Sequence, residues 1–259
     1  MKAETMRLHR ENALLYFTFS NLAQSIGVVH GVFTRVGGNS RGACKALNVG
    51  FNTGDDTAAV RQNRAAIAEC MGATPVFLNQ VHQSDIAVID DAFDAGADPG
   101  PPLTADAMIT RRTDICLAIQ VADCQAVMLY DRQNRVVANV HAGWRGSLAN
   151  IAGKCVEEMT RRFQTRPEKI VAGIGPSLGP CCAEFIHYRE EIPESFWQYK
   201  DGRNRFNFWQ VSHDQLTAAG LAPENIEWAG MCTKCNPHLF FSYRRDKNAG
   251  RLAAVIGLH

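Results

Sequence analysis

Stretches of apolar residues separated by polar turns predict three amphipathic helices. Residues 55–71 place apolar side chains near one helical face, start at aspartates that can cap a helix and are followed by Gly72. Residues 148–163 repeat apolar positions at three- and four-residue steps after Ser147, which can serve as an N-cap. Residues 207–220 are predicted to form the third helix.

Short apolar runs typical of β-strands are interspersed with these helices, at residues 76–78, 86–89, 107–109, 115–121, 126–130, 136–140, 170–174 and 252–257. The polar residues 131–134 between two runs predict a hairpin. We therefore expect an α/β or α+β fold, with one domain over residues 1–259 and a mixed sheet with flanking helices. Residues 91–102, rich in Asp, Gly, Ala and Pro, are expected to form an exposed loop within this domain.

Composition restricts the partners of the protein. The chain has 27 basic and 26 acidic residues, so no field of one sign is expected to attract nucleic acid or a membrane surface. No apolar run reaches the roughly 20 residues that span a bilayer, and the early run at 13–19 lacks the flanks of a signal peptide. We expect a cytoplasmic protein whose nine cysteines are mostly reduced thiols. The oligomeric state is left open.

Cys124 and His141 are the first candidates for chemistry, because each lies at the end of a predicted strand. The hairpin can bring the two strand ends together, and Asp123 is available to orient an imidazole. His82 is a third candidate, in Asn79-Gln80-Val81-His82, although its long spacing to Cys124 leaves open whether it joins them. Two imidazoles and one thiolate are one ligand short of a closed zinc shell, as in catalytic zinc sites.

Several residues could bind an anion such as phosphate. Gly143, Trp144, Arg145 and Gly146 directly precede the second predicted helix, where backbone N–H groups and a guanidinium could face the ligand. Arg35, Asn48 and Arg244 are further candidates for phosphate or ribose contacts. Each of these residues could equally lie on a solvated surface.

Cysteines also occur as Cys232-Thr233-Lys234-Cys235 and as the adjacent pair Cys181-Cys182. A zinc ribbon needs a second Cys-x-x-Cys pair at suitable spacing, which the chain lacks. A thioredoxin-type site is also not indicated, because no suitable strand-to-helix unit precedes the motif. We therefore predict no metal or redox site here.

Six motifs together resemble the laccase-domain family, whose members are called multicopper polyphenol oxidases, peptidoglycan editing factors and purine nucleoside phosphorylases. They occur in order over about residues 31–257: Gly31-Val32-Phe33-Thr34-Arg35-Val36-Gly37-Gly38, Asn79-Gln80-Val81-His82, Ala122-Asp123-Cys124, His141-Ala142-Gly143-Trp144-Arg145-Gly146, Gly173-Ile174-Gly175-Pro176-Ser177-Leu178-Gly179-Pro180-Cys181-Cys182 and Phe241-Ser242-Tyr243-Arg244-Arg245. The resemblance implies a fold like that of cysteine deamidases and zinc bound by His82, Cys124 and His141. It also implies phosphorolysis of adenosine, inosine, guanosine and methylthioadenosine, together with adenosine deamination.

Deamination and phosphorolysis need different side chains in the site. Deamination needs water activated by zinc and an ionisable neighbour for the proton, for which Asp123 and Glu184 are candidates. Phosphorolysis needs an anion site near C1′ and stabilisation of the departing purine, and Arg35, Arg145 and Arg244 are candidates for the anion site. Cys124 and His141 would belong to the catalytic centre in either case.

The sequence also bears on three other functions. A multicopper oxidase needs a large set of histidines, typically in His-x-His pairs, and this chain has eight histidines with no such pair, so copper is expected only as an occupant in vitro. Cys124 activated by His141 could instead form a thiol hydrolase or amidase, for example one that edits peptidoglycan precursors. A non-enzymatic alternative is an interaction protein stabilised by the metal.

Overall fold

The computed structural model describes residues 6–94 and 103–259, so most of the predicted loop at 91–102 lies outside the described residues. The strands are β1 Met6–Glu11, β2 Leu14–Phe19, β3 Val28–Phe33, β4 Thr74–Phe77, β5 Ile86–Ile89, β6 Ala107–Thr110, β7 Ile115–Val121, β8 Gln125–Asp131, β9 Val136–Ala142, β10 Ile170–Ile174, β11 Ile226–Trp228 and β12 Leu252–Leu258. The α-helices are α1 Ser20–Ala23, α2 Thr57–Met71, α3 Trp144–Leu148, α4 Ile151–Phe163, α5 Tyr188–Glu191 and α6 Phe208–Ala218.

The strands form two mixed six-stranded sheets, in the orders β1-β2-β3-β12-β7-β4 and β11-β10-β8-β9-β6-β5. Each sheet is mostly antiparallel, and its parallel pairs lie at the edges: β4 with β7 in the first, and β5 with β6 and β10 with β11 in the second. The predicted α/β class with a mixed sheet and flanking helices is confirmed. There are two sheets where the sequence analysis expected one.

The main hydrophobic core lies between the two sheets. Leu117 and Ile119 from the first sheet pack with Met128 and Tyr130 from the second, and all four are at most 1% exposed. Burial on this scale is the dominant favourable term in folding. Asn139 adds a polar tie across the core, because its amide donates 2.8 Å hydrogen bonds to backbone carbonyls of β7 and β12.

Helices cover the outer face of each sheet. Ile67 and Met71 of α2 pack on the first sheet in a second apolar cluster. Ile151, Val156 and Met159 of α4 pack on the second sheet, together with Leu216 of α6. The layers therefore run helix, sheet, sheet, helix.

The second predicted helix begins later than expected. Ser147 lies inside the short helix α3 and does not cap α4; Asn150 does so, with its side chain accepting a hydrogen bond from the Gly153 amide. Asn150 has φ 56°, a left-handed conformation that asparagine tolerates, and this interrupts the predicted continuous start at residue 148. α2 and α6 and the hairpin at 131–134 are confirmed. Strands β1, β2, β3 and β11 were not predicted from the sequence pattern.

None of the helices within residues 6–94 and 103–259 combines the length and the apolar character needed to cross a membrane.

Candidate functional site

The connection between the two sheets carries Cys124. β7 of the first sheet ends at Val121 and β8 of the second begins at Gln125, so residues 122–124 pass from one sheet to the other. β8 and β9 then pair antiparallel with Ala126 opposite His141, which brings His141 beside the same connection. The predicted hairpin therefore does place Cys124 and His141 together.

His82 joins them from the segment between β4 and β5. Its backbone has φ 61°, a conformation uncommon outside glycine, and its amide donates a 2.9 Å hydrogen bond to Oδ1 of Asp106. The neighbouring Gln83 amide donates to Oδ2 of Asp106 at 2.7 Å. One nitrogen each of His82 and His141 and the sulfur of Cys124 lie within 4.8 Å of one another. The open question from the sequence is thus answered: His82 belongs to this cluster.

Asp106, which the sequence analysis did not single out, orients His141. Ala107 pairs with Val140 between β6 and β9, so Asp106 lies opposite His141, and its carboxylate accepts from Nδ1 of His141 at 2.8 Å. This bond leaves Nε2 as the ring nitrogen free to bind a metal. The orienting role that the sequence analysis gave to Asp123 therefore belongs to Asp106, because the register of β6 on β9 places it there.

Cys124 and His141 each shift the pKa of the other. Burial raises the pKa of the Cys124 thiol, but His141 and His82 outweigh it and lower that pKa to about 6. Burial lowers the pKa of His141, and Cys124 and Asp106 together raise it to about 9. For Asp106, burial raises the pKa, while hydrogen bonds from His141 and two backbone amides bring it below its ordinary value. The surroundings of Cys124 therefore favour its thiolate form.

The donor set fits a divalent metal of intermediate softness. Two imidazole nitrogens and one thiolate are zinc ligands, and ideal tetrahedral bonds of about 2.0–2.3 Å put such atoms about 3.3–3.8 Å apart. The three donor atoms here all lie within 4.8 Å of one another, so they can close on one ion with small side-chain movements. Gly143 leaves the necessary room, since a Cβ at this position would lie 3.1 Å from the Cys124 sulfur and 3.1 Å from Cδ2 of His82. Three protein ligands leave a fourth position for water or substrate.

The cluster forms part of the wall of a cavity of about 1570 Å³. Aromatic side chains, among them Phe77, Trp144, Phe185 and Tyr243, line it. Such surfaces suit a flat heteroaromatic ligand. Among the residues that the structure describes, no methionine lines the cavity.

Four arginines line this cavity. Arg145 and Arg244 were anticipated from the sequence, and both are exposed to solvent within it. Arg145 stacks on Trp144, and Arg244 donates to the backbone carbonyl of Glu184 at 2.8 Å. The other two, Arg64 and Arg251, were not identified from sequence, since nothing local distinguishes them from surface arginines.

Arg35 and Asn48 serve the scaffold. Arg35 donates to the carbonyls of Lys45 and Pro237 and lies over the ring of Phe241, and the cavity lining does not include it. Asn48 is fully buried, and its side chain bonds groups in the loop at 50–55 and the amide of Arg251. Because neither residue lines the cavity, we do not assign phosphate or ribose contacts to either of them.

The two candidate proton carriers are placed differently. Asp123 lines the cavity with φ 92°, and its carboxylate accepts from Oγ1 of Thr233 and from the amide of Arg244, both at 2.6 Å. Glu184 is exposed, and the described lining contains its neighbours Ala183 and Phe185 without it. Asp123 is therefore the better placed of the two.

A second sulfur cluster lies beyond the Asp123 side of the cavity. Cys181, Cys182, Cys232 and Cys235 bring their sulfur atoms within 4.8 Å of one another. No such site was predicted from the sequence, because the chain lacks a second Cys-x-x-Cys pair. The adjacent pair Cys181-Cys182 takes that place because β10 and β11, which precede the two motifs, are parallel neighbours.

Comparison with known proteins gives a consistent picture. Residues 29–259 match the family model described as multi-copper polyphenol oxidoreductase laccase. The chain is 31% identical over 260 residues to a protein of Bacteroides thetaiotaomicron named purine nucleoside phosphorylase, covering 93% of this chain and 95% of that one. It is 36% identical over 242 residues to purine nucleoside phosphorylase ORF3 of Streptomyces griseus, covering 90% and 95% of the two chains.

Among solved structures, the fold is similar to that of YlmD from Geobacillus stearothermophilus. The two share 30% sequence identity and superpose with a TM-score of 0.87 over 99% of each chain. The resemblance found in the sequence motifs is thereby confirmed.

Proposed function

Because this chain belongs to the multi-copper polyphenol oxidoreductase laccase family and is similar to proteins named purine nucleoside phosphorylase, we propose that it is a zinc-dependent purine nucleoside phosphorylase. It would convert adenosine, inosine, guanosine or methylthioadenosine and phosphate to the free base and a ribose 1-phosphate, and would also deaminate adenosine. The observation that carries the proposal is the open three-ligand centre in the wall of an arginine-lined, aromatic cavity. The names of the similar proteins point to the same activity.

His82, Cys124 and His141 would hold the zinc ion. Bound zinc supplies Lewis acidity, which polarises a substrate oxygen or lowers the pKa of water. Asp106 fixes the tautomer and orientation of His141 and holds the backbone of His82, so it preorganises two of the three ligands.

We assign binding of phosphate and nucleoside to other residues that line the cavity. Arg145 and Arg244 are the exposed cations that we assign to phosphate, because a guanidinium matches phosphate geometry with paired hydrogen bonds. Trp144, Phe185 and Tyr243 offer ring faces and edges to a purine. Asp123, the cavity carboxylate adjoining Cys124, is assigned to proton transfer in deamination.

A thiol hydrolase is the second candidate, because Asp106, His141 and Cys124 form a row in which each contacts the next. A carboxylate that orients an imidazole, which in turn activates a thiol, is the arrangement of a cysteine nucleophile. The same row is also that of a metal-bound histidine with its carboxylate partner. Editing of peptidoglycan precursors would be a reaction of such a thiol hydrolase. Copper-dependent oxidation has less support, since no described lining residue offers the methionine typical of blue-copper sites.

The experiment that tests the proposal combines metal analysis with product separation. The purified protein is incubated with adenosine, with and without phosphate, and adenine, inosine and hypoxanthine are separated by chromatography. Adenine that appears only with phosphate, from protein containing zinc, supports the phosphorylase. Inosine formed without phosphate supports deamination. No product from folded, zinc-loaded protein would favour the thiol hydrolase.

A further inference from the structure

Two chain segments leave the second sheet side by side and carry the four cysteines named above. Parallel pairing of β10 with β11 continues past the strand ends, since the Ser177 amide donates to the Met231 carbonyl and the Thr233 amide to the Ser177 carbonyl. Cys181 and Cys182 follow on one segment. Cys232 and Cys235 follow on the other.

The four sulfurs have the spacing of a metal shell and not of disulfides. The sulfur of Cys235 lies 3.6 Å from that of Cys181 and 3.5 Å from that of Cys182, and all four sulfurs lie within 4.8 Å of one another. A disulfide would need about 2.05 Å, and all four are free thiols. Tetrahedral zinc with bonds of about 2.3 Å places its sulfur ligands about 3.8 Å apart.

The backbone around the cluster is arranged for thiolate ligands. Amides of Gly179 and Cys235 hydrogen-bond the sulfur of Cys232. Gly179 is needed for this approach, because a Cβ there would lie 3.0 Å from Cβ of Cys232 and 2.9 Å from the ring of Trp209. Backbone donors to sulfur stabilise the negative charge that four thiolates bring together.

We propose that Cys181, Cys182, Cys232 and Cys235 bind a second zinc ion in a closed, tetrahedral, structural site. Four protein ligands leave no position for substrate, which distinguishes this site from the open centre at His82, Cys124 and His141.

The second site would stabilise one side of the reaction cavity. Thr233, between two of the ligands, donates its hydroxyl to Asp123 at 2.6 Å, and Asp123 directly precedes Cys124. On the other segment, Ala183 and Phe185 line the cavity just after Cys182. Zinc would therefore tie together two loops that otherwise meet through a few hydrogen bonds.

The test separates the two sites by mutation. A His82→Ala, His141→Ala variant is purified under reducing conditions, loaded with zinc and analysed by native mass spectrometry. We expect one tightly bound zinc ion, and zinc should protect Cys181, Cys182, Cys232 and Cys235 from alkylation when the modified residues are mapped. Adding Cys181→Ser and Cys235→Ser should remove that ion, whereas adding Cys70→Ser, a half-buried cysteine outside both clusters, should leave it.

Three results would overturn the proposal: no tight zinc in the His82→Ala, His141→Ala variant, iron in place of zinc, or alkylation of the four cysteines at the same rate with and without zinc. The alkylation measurement uses a protein with all four cysteines intact, so it decides the question even if the serine variants do not fold. Both measurements are also independent of the nucleoside reaction, because they read bound metal and the protection of thiols and not turnover.

Discussion

The carboxylate of Asp106 lies 2.8 Å from Nδ1 of His141, and Asp106 also accepts hydrogen bonds from the backbone amides of His82 and Gln83. One fully buried side chain thus positions two of the three candidate metal ligands. Hydrogen bonds of this kind select the tautomer of a ligand histidine and hold its ring in place. The organisation of the site therefore depends on a residue that is not itself a ligand.

Replacing that residue should weaken metal binding. Asp106→Asn keeps the size of the side chain but removes its charge and places an amide donor near His141, so we expect zinc affinity to fall about 10–100-fold. Competition with a chromophoric chelator measures the change. Asp114→Asn, at an exposed carboxylate paired with Arg112, is the matched control and should leave the affinity unchanged. Equal affinity in both variants would contradict the role given to Asp106.

The Cys124 thiol of the metal-free protein should react at unusually low pH. Its pKa is lowered to about 6, so the reactive thiolate forms as pH rises through 6, and the alkylation rate should rise over the same range. Mass spectrometry of protein alkylated at a series of pH values identifies the residue. Cys70, whose pKa is raised to about 12 by burial and by Glu11, should stay slow up to neutral pH.

His141→Gln extends this test. His141 is the main cause that lowers the pKa of Cys124, so its removal should move the midpoint of alkylation to higher pH. Zinc should protect Cys124 in the wild-type protein. An alkylation midpoint near the ordinary thiol pKa of about 8.5 in the metal-free wild type would show that His141 does not lower the pKa of Cys124.

Crowding the centre should also lower zinc affinity. In Gly143→Ala the new methyl group would lie 3.1 Å from both the Cys124 sulfur and Cδ2 of His82, so one ligand must move by a few tenths of an ångström. Isothermal titration with zinc measures the loss. Gly202→Ala is the control, since no atom lies within 4 Å of a Cβ there. Identical zinc binding by the two variants would show that the space at Gly143 is not needed.

The cavity arginines should control the affinity for phosphate. A hydrogen bond to a charged group contributes about 1.5–3 kcal/mol, so Arg145→Met should raise the KM for phosphate roughly 10–100-fold. Steady-state kinetics at saturating nucleoside measures it. Arg35→Met should instead lower the melting temperature with little change in this KM, because Arg35 bonds the carbonyls of Lys45 and Pro237 away from the cavity. The reverse pattern would reassign the phosphate site.

The elements around the site could be predicted from sequence because their patterns are local. The apolar run at 115–121 and the hairpin at 131–134 appear in the structure, and together they place Cys124 beside His141. The edge elements were harder to predict. β1 has only two apolar residues among its six and none of them is buried, and β11 has only three residues.

Contacts between distant segments could not be predicted from spacing. Asp106 reaches His141 only through the pairing of β6 with β9, and Cys181 reaches Cys235 only because β10 and β11 are parallel neighbours. Residue type was misleading for Asn48, which is buried and serves to hold a loop together. For Asp106 and Cys181 the sheet register decides the contact, and for Asn48 the fold of its loop does so. Neither can be read from the spacing of residues in a single sequence.

Phosphorus NMR of the zinc-loaded protein with inosine and inorganic phosphate distinguishes phosphorolysis from hydrolysis of the nucleoside. We expect a ribose 1-phosphate signal that grows as hypoxanthine is released in equal amount, and we expect this signal to be lost in His82→Ala while that variant remains folded. Hypoxanthine released without any sugar phosphate, or sugar phosphate formed equally well by His82→Ala, would contradict phosphorolysis at this centre.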